Sequence, residues 1–138
     1  MKLSARNVFR GTVTNVNEGA VNGIVTIDVN GTPVSSTISI SAINELGLKE
    51  GKDVYAVIKA TEVMIGIGEM KLSARNKFPG TVTEIEEGAV NGIVKMDVLG
   101  GNKLSATISM NAIKELGLSV GCEAVAVIKA TSVMVGID

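Results

Sequence analysis

The chain has 138 residues, 46% of them apolar, and a formal net charge of -1, with no histidine or tryptophan, one cysteine, one tyrosine and two phenylalanines. These counts exclude histidine-dependent catalysis, a histidine-containing zinc site, an internal disulfide and a multi-cysteine metal cluster. The charge and the scarcity of aromatic residues also argue against binding nucleic acid along its phosphate backbone or by base stacking.

Five short segments rich in β-branched residues follow one another in the first half, separated by glycine, asparagine or charged turns. Asn30 and Gly31 predict a two-residue hairpin, because both residue types tolerate a positive φ. Residues 41–47 predict a short helix, since they offer a serine as N-cap, apolar residues three apart and a C-terminal glycine. The predicted strands are residues 13–16, 24–29, 34–40, 54–60 and 63–67.

The second half of the chain repeats the first. Residues 1–7 return as 70–76 and residues 19–25 as 88–94, and after a one-residue insertion near Lys103 residues 56–61 return as 126–131. About two-thirds of the aligned positions are identical. We therefore expect two domains, residues 1–69 and 70–138, joined so directly that they pack against each other.

Five strands and one helix in each copy predict an all-β protein with two tandem OB-like five-stranded β-barrels, each with one short helix. A unit of this size buries only about 60% of its unfolded surface and is marginally stable alone. With few aromatic residues to fill a core, further burial between the copies and between chains is expected, so the sequence predicts a homo-oligomer.

Three cation pairs recur at equivalent positions of the two copies: Lys2 with Lys71, Arg6 with Arg75, and Lys59 with Lys129. Residual identity after a duplication would explain this recurrence equally well. However, Arg6 and Lys59 stand among small hydrogen-bond donors, and arginine, lysine, serine and backbone amides together can replace the hydration shell of a tetrahedral oxyanion.

Two further segments could add backbone donors. The start of the predicted helix, with Ser39 and Ala42, brings amides with a favourable dipole. The turn made by Gly19, Ala20, Val21 and Asn22 could expose amides as an anion-binding nest, although an ordinary hairpin turn explains the same residues.

At these positions the chain resembles the Mop family, the molybdate-binding molbindins. The matching stretches are Ser-Ala-Arg-Asn at 4–7, Glu-Gly-Ala-Val-Asn at 18–22, Thr-Ile-Ser at 37–39, Glu-Leu-Gly-Leu at 45–48 with Gly51, and Ala-Val-Ile-Lys-Ala-Thr at 56–61 followed by Val-Met-Ile at 63–65. Copy two repeats them in the same order, so the resemblance covers essentially the whole chain. With two such units, the chain resembles the di-Mop molbindins.

The resemblance implies OB-like barrels, non-catalytic cytoplasmic storage of molybdate or tungstate, no cofactor, and six Mop units around a threefold axis, which means a homotrimer for this chain. It places the anion between units, held by the serine and arginine of Ser-Ala-Arg-Asn, by the helix start and by a Lys-Ala pair from a neighbouring unit. The implied oxyanion-binding residues are Ser4, Arg6, Ser39, Ala42, Lys59, Ala60, Ser73, Arg75, Ser109, Ala112, Lys129 and Ala130.

Two details qualify that set. Relatives often place serine where this chain has Ala42 and Ala112, so only a backbone contact is expected at these two positions. The family also binds anion near the threefold axis, and the candidates for this second site are Gly19, Ala20, Val21, Asn22, Gly88, Ala89, Val90 and Asn91.

Three other functions stay open at this point: a nucleic-acid-binding OB module, a purely structural oligomerisation module, and an enzyme. The enzyme is the least supported, because scattered single carboxylates usually solvate strand edges and do not form an acid–base pair. No apolar run approaches the roughly 18 residues of a membrane span and no hydrophobic signal segment follows Lys2, so a cytoplasmic protein without membrane or nucleic-acid partners is expected.

Overall fold

The protein is described by a computed structural model that covers residues 2–138. Ten strands form two five-stranded antiparallel sheets, and each sequence copy contributes one short α-helix. The strands are β1 Asn7–Glu18, β2 Asn22–Val29, β3 Thr32–Ser39, β4 Asp53–Ile58, β5 Met64–Gly66, β6 Asn76–Glu86, β7 Asn91–Val98, β8 Asn102–Ser109, β9 Glu123–Ile128 and β10 Met134–Gly136, and the helices are α1 Ile40–Leu46 and α2 Met110–Leu116.

The two copies exchange their last strands. The first sheet has the order β10-β4-β1-β2-β3 and the second β5-β9-β6-β7-β8, so each sheet takes four strands from one copy and the fifth from the other. In the first sheet Met134 pairs with Val57, and in the second Met64 pairs with Val127. The sequence boundary near residue 69 therefore does not separate the two sheets.

Each sheet curls towards a barrel. A register shift between Val13 and Asn15 in β1, repeated between Val82 and Glu84 in β6, places a β-bulge in the longest strand of each sheet. Such bulges bend the strand and increase its twist, which brings the two edge strands of a sheet together. The predicted all-β fold of OB-like five-stranded units with one short helix each is confirmed, in the form of two curled half-barrels.

The hairpin turn between β2 and β3 forms as predicted, with positive φ at Asn30 (49°) and Gly31 (88°). The helix differs at its start: Ser39, not the predicted Ser41, is the N-cap of α1, because its Oγ accepts a hydrogen bond from the amide of Ala42 at 3.0 Å. The helix ends as predicted at Gly47, whose φ is 62°.

Two predicted strand limits are corrected. The first strand begins at Asn7, six residues before the predicted start, because Asn7 to Thr12 pair with β4. The predicted strand 54–60 ends at Ile58, and Ala60–Glu62 forms a 3-10 turn, as Ala130–Ser132 does in copy two. Lys59 and Lys129 therefore stand at the junction of a strand and a turn.

One continuous hydrophobic core joins the two halves, as expected from the small size of each copy. Each sheet contributes one buried phenylalanine, Phe9 and Phe78, and the other side chains of the core formed by residues 2–138 are aliphatic apart from Met96. Because both sheets share this interior, the positions of residues from copy one and copy two are fixed relative to each other.

Candidate oxyanion site

A buried asparagine positions the segment that carries the candidate arginine. Asn7, 1% exposed, donates from Nδ2 to the Ser105 carbonyl at 2.9 Å and accepts the Ser105 amide on Oδ1 at 2.8 Å. Ser105 lies on β8 of the other copy. The two hydrogen bonds therefore fix residues 4–6, which immediately precede Asn7, beside that strand.

The equivalent hydrogen bonds join the asparagine of copy two to a strand of copy one. Asn76, 2% exposed, donates to the Ser35 carbonyl at 2.9 Å and accepts the Ser35 amide at 2.8 Å. Arg75 is therefore held beside β3 of copy one. The asparagine of each Ser-Ala-Arg-Asn motif is a framework residue.

Strand pairing brings the candidate lysine to the same place. Asn7 pairs with Ile58 in the antiparallel ladder between β1 and β4, so the residues just outside this pair, Arg6 and Lys59, leave the sheet side by side. Lys59 has an extended backbone, and its carbonyl accepts the Glu62 amide at 3.0 Å to start the 3-10 turn. The Lys-Ala pair thus faces the arginine of its own copy.

Two pockets result, one in each half. The Arg6 pocket has a volume of about 520 Å³ and is lined by Leu3, Ser4, Ala5, Arg6, Val57, Lys59, Ala60, Thr61, Thr107, Met134, Val135 and Gly136. The Arg75 pocket has a volume of about 240 Å³ and is lined by Thr37, Ser73, Ala74, Arg75, Lys129, Ala130 and Thr131. Each pocket combines a Ser-Ala-Arg segment and a Lys-Ala-Thr segment of one copy with a threonine of the other.

Both pockets are electropositive. Among residues 2–138, no aspartate or glutamate lines either pocket, and Arg6, Lys59, Arg75 and Lys129 form no ion pair. Elsewhere in the described part of the chain, three cations are paired with a carboxylate, whereas others, such as Lys49 and Lys77, are not. Ion pairs join Lys95 to Glu84 at 2.9 Å, Lys103 to Asp97 at 2.5 Å and Arg10 to Asp53 at 3.9 Å. Two charged donors without a counter-ion in one concave site favour an anion as the missing partner.

Eight of the twelve residues that the resemblance implied for the oxyanion site are brought together. Ser4, Arg6, Lys59 and Ala60 share the Arg6 pocket, and Ser73, Arg75, Lys129 and Ala130 share the Arg75 pocket. Within this chain the Lys-Ala pair of each pocket comes from the same sequence copy as the arginine, and the other copy supplies Thr107 or Thr37. The implied contribution of a Lys-Ala pair from a neighbouring unit stays a prediction.

The helix-start residues lie apart from both pockets. Ser39, Ala42, Ser109 and Ala112 are not among the residues that line them in the described chain. The Ala42 amide donates to Ser39 Oγ, and the Ala112 amide donates to Ser109 Oγ, each at 3.0 Å. These amides, which were expected to contact the anion, are therefore engaged in helix capping.

The turn proposed for a second anion site is a hairpin closed by its own backbone. The Gly19 amide donates to the Asn22 carbonyl at 2.9 Å, and the Val21 carbonyl accepts the Ile40 amide at 2.8 Å. None of the four turn residues has a positive φ, so the αR-αL form of a nest is not present there. A groove of about 300 Å³ lies beside the turn and is lined by Asn17, Glu18, Gly19, Asn22, Gly23, Ile24 and Thr37.

Sequence reasoning left out the threonines that line the pockets. Thr107 and Thr37 come from the opposite copy, and Thr61 and Thr131 follow the Lys-Ala pairs directly. All four stand in stretches that are identical in the two copies. This identity between the copies was the one sequence signal that could have marked the threonines as site residues. That Thr107 and Thr37 lie in the pocket of the opposite copy follows only from the hydrogen bonds of Asn7 to β8 and of Asn76 to β3.

The described residues offer few features for base stacking, metal binding or membrane spanning. Phe9 and Phe78 are 4% and 3% exposed, so two of the three aromatic side chains of the sequence cannot stack on a base. Among residues 2–138 there is no cluster of three or more cysteine or acidic side chains that could hold a metal ion. No helix in this part of the chain is long and apolar enough to span a membrane.

Comparison with known proteins gives consistent matches over both halves. The TOBE domain model matches residues 3–65 and 72–135. The molybdenum transport protein ModE of Herbaspirillum seropedicae is 39% identical over 141 residues, which cover 100% of this chain and 52% of ModE. A probable molybdenum-pterin-binding protein of Haemophilus influenzae is 61% identical over 69 residues, 50% of this chain and 100% of that protein.

The solved structures include one that matches at full length. The cytoplasmic molybdate-binding protein ModG, with molybdate bound, superposes with a TM-score of 0.97 at 42% identity, and the match covers 100% of both chains. The chain spans about half the length of the ModE relatives it matches.

Proposed function

Because the chain belongs to the TOBE-domain family and carries that domain twice, we propose that it binds molybdate, or the near-isosteric tungstate, reversibly and without catalysis. The resemblance to the Mop family predicted from the sequence is confirmed by the same matches. The observation that carries the proposal is the arginine–lysine pair in each pocket, which has no carboxylate partner among the described residues.

The proposed binding mechanism uses donors of three kinds. The Arg6 guanidinium presents a planar, permanently charged fork, and Lys59 adds a point charge on a flexible stem. The hydroxyls of Ser4 and Thr107 orient the remaining oxygens of the tetrahedral anion. In the Arg75 pocket, Ser73, Lys129 and Thr37 take the corresponding roles.

We further propose that copies of the chain assemble, as a homotrimer, and that assembly completes the sites. Leu3, Val21 and Met64 are exposed by 56%, 74% and 46%, and their counterparts Leu72, Val90 and Met134 are exposed to a similar extent. An apolar side chain exposed at the same place in both copies favours a repeated protein–protein contact. Leu3 and Met134 also line the Arg6 pocket.

Ser39 and Ser109 fit this assembly. Each accepts the capping amide on its Oγ, which leaves the hydroxyl hydrogen free to donate to an anion bound by another chain. The helix starts can therefore contribute to a pocket from which they are distant within one chain. Ala42 and Ala112 would border the anion there without donating to it.

A second, weaker anion site is proposed beside the hairpin turns of residues 19–22 and 88–91. The groove at the first turn shares Thr37 with the Arg75 pocket, so the two sites would be neighbours. Glu18 lines the same groove and opposes anion binding there. For this reason we expect this site to fill only after the two arginine pockets.

The role that fits these properties is cytoplasmic storage and buffering of the oxyanion, with residues 1–69 and 70–138 as the two domains of the chain. The proposal involves no cofactor, nucleic acid or membrane.

Thermal unfolding of the full chain in sulfate-free buffer tests the proposal. A ligand at a hundredfold excess over its dissociation constant stabilises the folded state by about 2.7 kcal/mol for each site, so molybdate and tungstate are expected to raise the melting temperature by several degrees. Chloride at the same ionic strength is the control. An unchanged melting temperature in saturating molybdate and tungstate would contradict the proposal.

A further inference from the structure

One buried hydroxyl lies behind the Arg75 pocket. Ser36 is 0% exposed, and its Oγ donates to the Val133 carbonyl at 2.5 Å. Ser36 belongs to copy one and Val133 to copy two, so this bond crosses between the copies. Val133 ends the 3-10 turn that carries Lys129, Ala130 and Thr131, three residues of the pocket wall.

Three successive residues of β3 thus support the same pocket. The Ser35 backbone holds Asn76 and with it Arg75, the Ser36 hydroxyl holds the end of the lysine-bearing turn, and Thr37 lines the pocket. The arginine and lysine segments are therefore both fixed to one strand. Fixing both charged donors before the anion arrives reduces the conformational entropy lost on binding.

The Arg6 pocket lacks the equivalent bond. The position that corresponds to Ser36 is Ala106, which is also 0% exposed, and its methyl group cannot donate to Val63, the counterpart of Val133. The other supports are conserved between the halves, since Ser105 holds Asn7 and Thr107 lines the pocket. The Arg6 pocket is also the larger, at about 520 Å³ against about 240 Å³.

We propose that the two oxyanion pockets of this chain are unequal, and that Ser36 is a positioning residue which makes the Arg75 pocket the tighter one. The inference rests on the proposed function, because it concerns the affinity of the same two pockets. A buried hydrogen bond of this kind corresponds to about a threefold to tenfold difference in affinity if its full contribution appears in binding.

Calorimetric titration with sodium molybdate tests this on full-length chains in which one pocket is disabled. Arg6→Ala leaves the Arg75 pocket active, and Arg75→Ala leaves the Arg6 pocket active. Adding Ser36→Ala is expected to weaken binding about threefold to tenfold in the first background and to change it less than twofold in the second. Ala106→Ser, the matched reverse change, is expected to strengthen binding in the second background alone.

The possible results distinguish a failure of the unequal-pocket inference from a failure of the proposed oxyanion binding. Molybdate binding with equal affinities in the two backgrounds, or an equal loss in both on Ser36→Ala, would overturn the inference and leave the proposed function in place. Absence of molybdate and tungstate binding from the unmodified chain would overturn both. A pocket-selective loss is the result that a general effect of Ser36 on stability would not produce.

Amide hydrogen exchange of the ligand-free chain provides a second measurement. The Ser132 and Val133 amides donate to Lys129 and Ala130, just as the Glu62 and Val63 amides donate to Lys59 and Ala60. If Ser36 steadies the copy-two turn, the first pair exchanges more slowly than the second, and Ser36→Ala removes the difference. Equal exchange of the two turns in the unmodified chain would count against a positioning role.

Discussion

Arginine and asparagine stand side by side in the Ser-Ala-Arg-Asn motif, yet they have opposite environments. Asn7 is 1% exposed and is hydrogen-bonded through both amide atoms to Ser105, whereas Arg6 is exposed and has no ion-pair partner within residues 2–138. Asn76 and Arg75 repeat the contrast. One motif therefore contains both a framework residue and a proposed ligand residue, and recurrence in the two copies does not distinguish these roles.

The largest effect on stability is expected from the framework residue. Asn7→Ala removes two hydrogen bonds and leaves the partly buried backbone of Ser105 without these partners, which should lower the free energy of unfolding by about 3 kcal/mol. The melting temperature should fall by about 10 °C. Asn15→Ala, on an exposed position of the same strand, is the control and should change stability by less than about 0.5 kcal/mol.

The proposed ligand residue should show the opposite profile. Arg6→Ala is expected to leave the ligand-free melting temperature nearly unchanged and to weaken molybdate binding at its pocket by about 10-fold to 100-fold, since a hydrogen bond to a charged group contributes about 1.5–3 kcal/mol. Arg10→Ala is the matched control, because Arg10 is paired with Asp53 outside the pocket. Equal losses of affinity in the two variants would remove the special role of Arg6.

Thr107 tests whether the opposite copy takes part in binding. Thr107→Val keeps the shape of the side chain but removes its hydroxyl, and should weaken molybdate binding about fivefold, as measured by calorimetric titration. Thr32→Val, on a strand position that lines neither pocket, should have no effect on affinity. An unchanged affinity in the Thr107 variant would restrict the site to one sequence copy.

The smallest effect on stability is expected from the exposed hydrogen bond between Tyr55 and Asp138. Tyr55 donates a hydrogen bond to Asp138 at 3.0 Å, and this bond, together with the negative charge of Asp138, raises the pKa of Tyr55 above its ordinary value of 10.0. The contribution of this contact to stability is present below the ordinary pKa and is lost as pH rises through the raised one. Since Tyr55 is the single tyrosine, a near-ultraviolet absorbance titration reports it directly, and Asp138→Asn should lower its pKa.

Local features of the fold were predictable from particular residues. Asn30 and Gly31 specify their turn because the hairpin needs two positive φ angles, and Gly47 ends its helix for the same reason. The first half of β1 was missed because Asn7, Arg10 and Gly11 have little preference for strands, and pairing with β4 decides their conformation. The N-cap was misplaced because Ser39 and Ser41 are equally good caps in sequence, and the end of β3 selects Ser39.

The candidate site was predictable only in its composition. Ser4, Arg6, Lys59 and Ala60, four of the residues that the resemblance implied, line one pocket, while Thr107 was missed because its distance along the chain gives no local signal. Ser39 and Ala42 were expected at the same anion, but the chain places them at a helix start outside the pocket. Their place in the site depends on the proposed assembly.

The sequence by itself determined the repeat, the type of each element and the set of charged and neutral donors, because these depend on local conformation and on residue chemistry. Tertiary structure alone decided the exchange of the last strands and the use of each copy as support for the site of the other. Met64–Gly66 and Met134–Gly136 have nearly the same local sequence and could pair with either β4 or β9. Long-range packing and the buried asparagine bonds select the partner, and no local pattern records them.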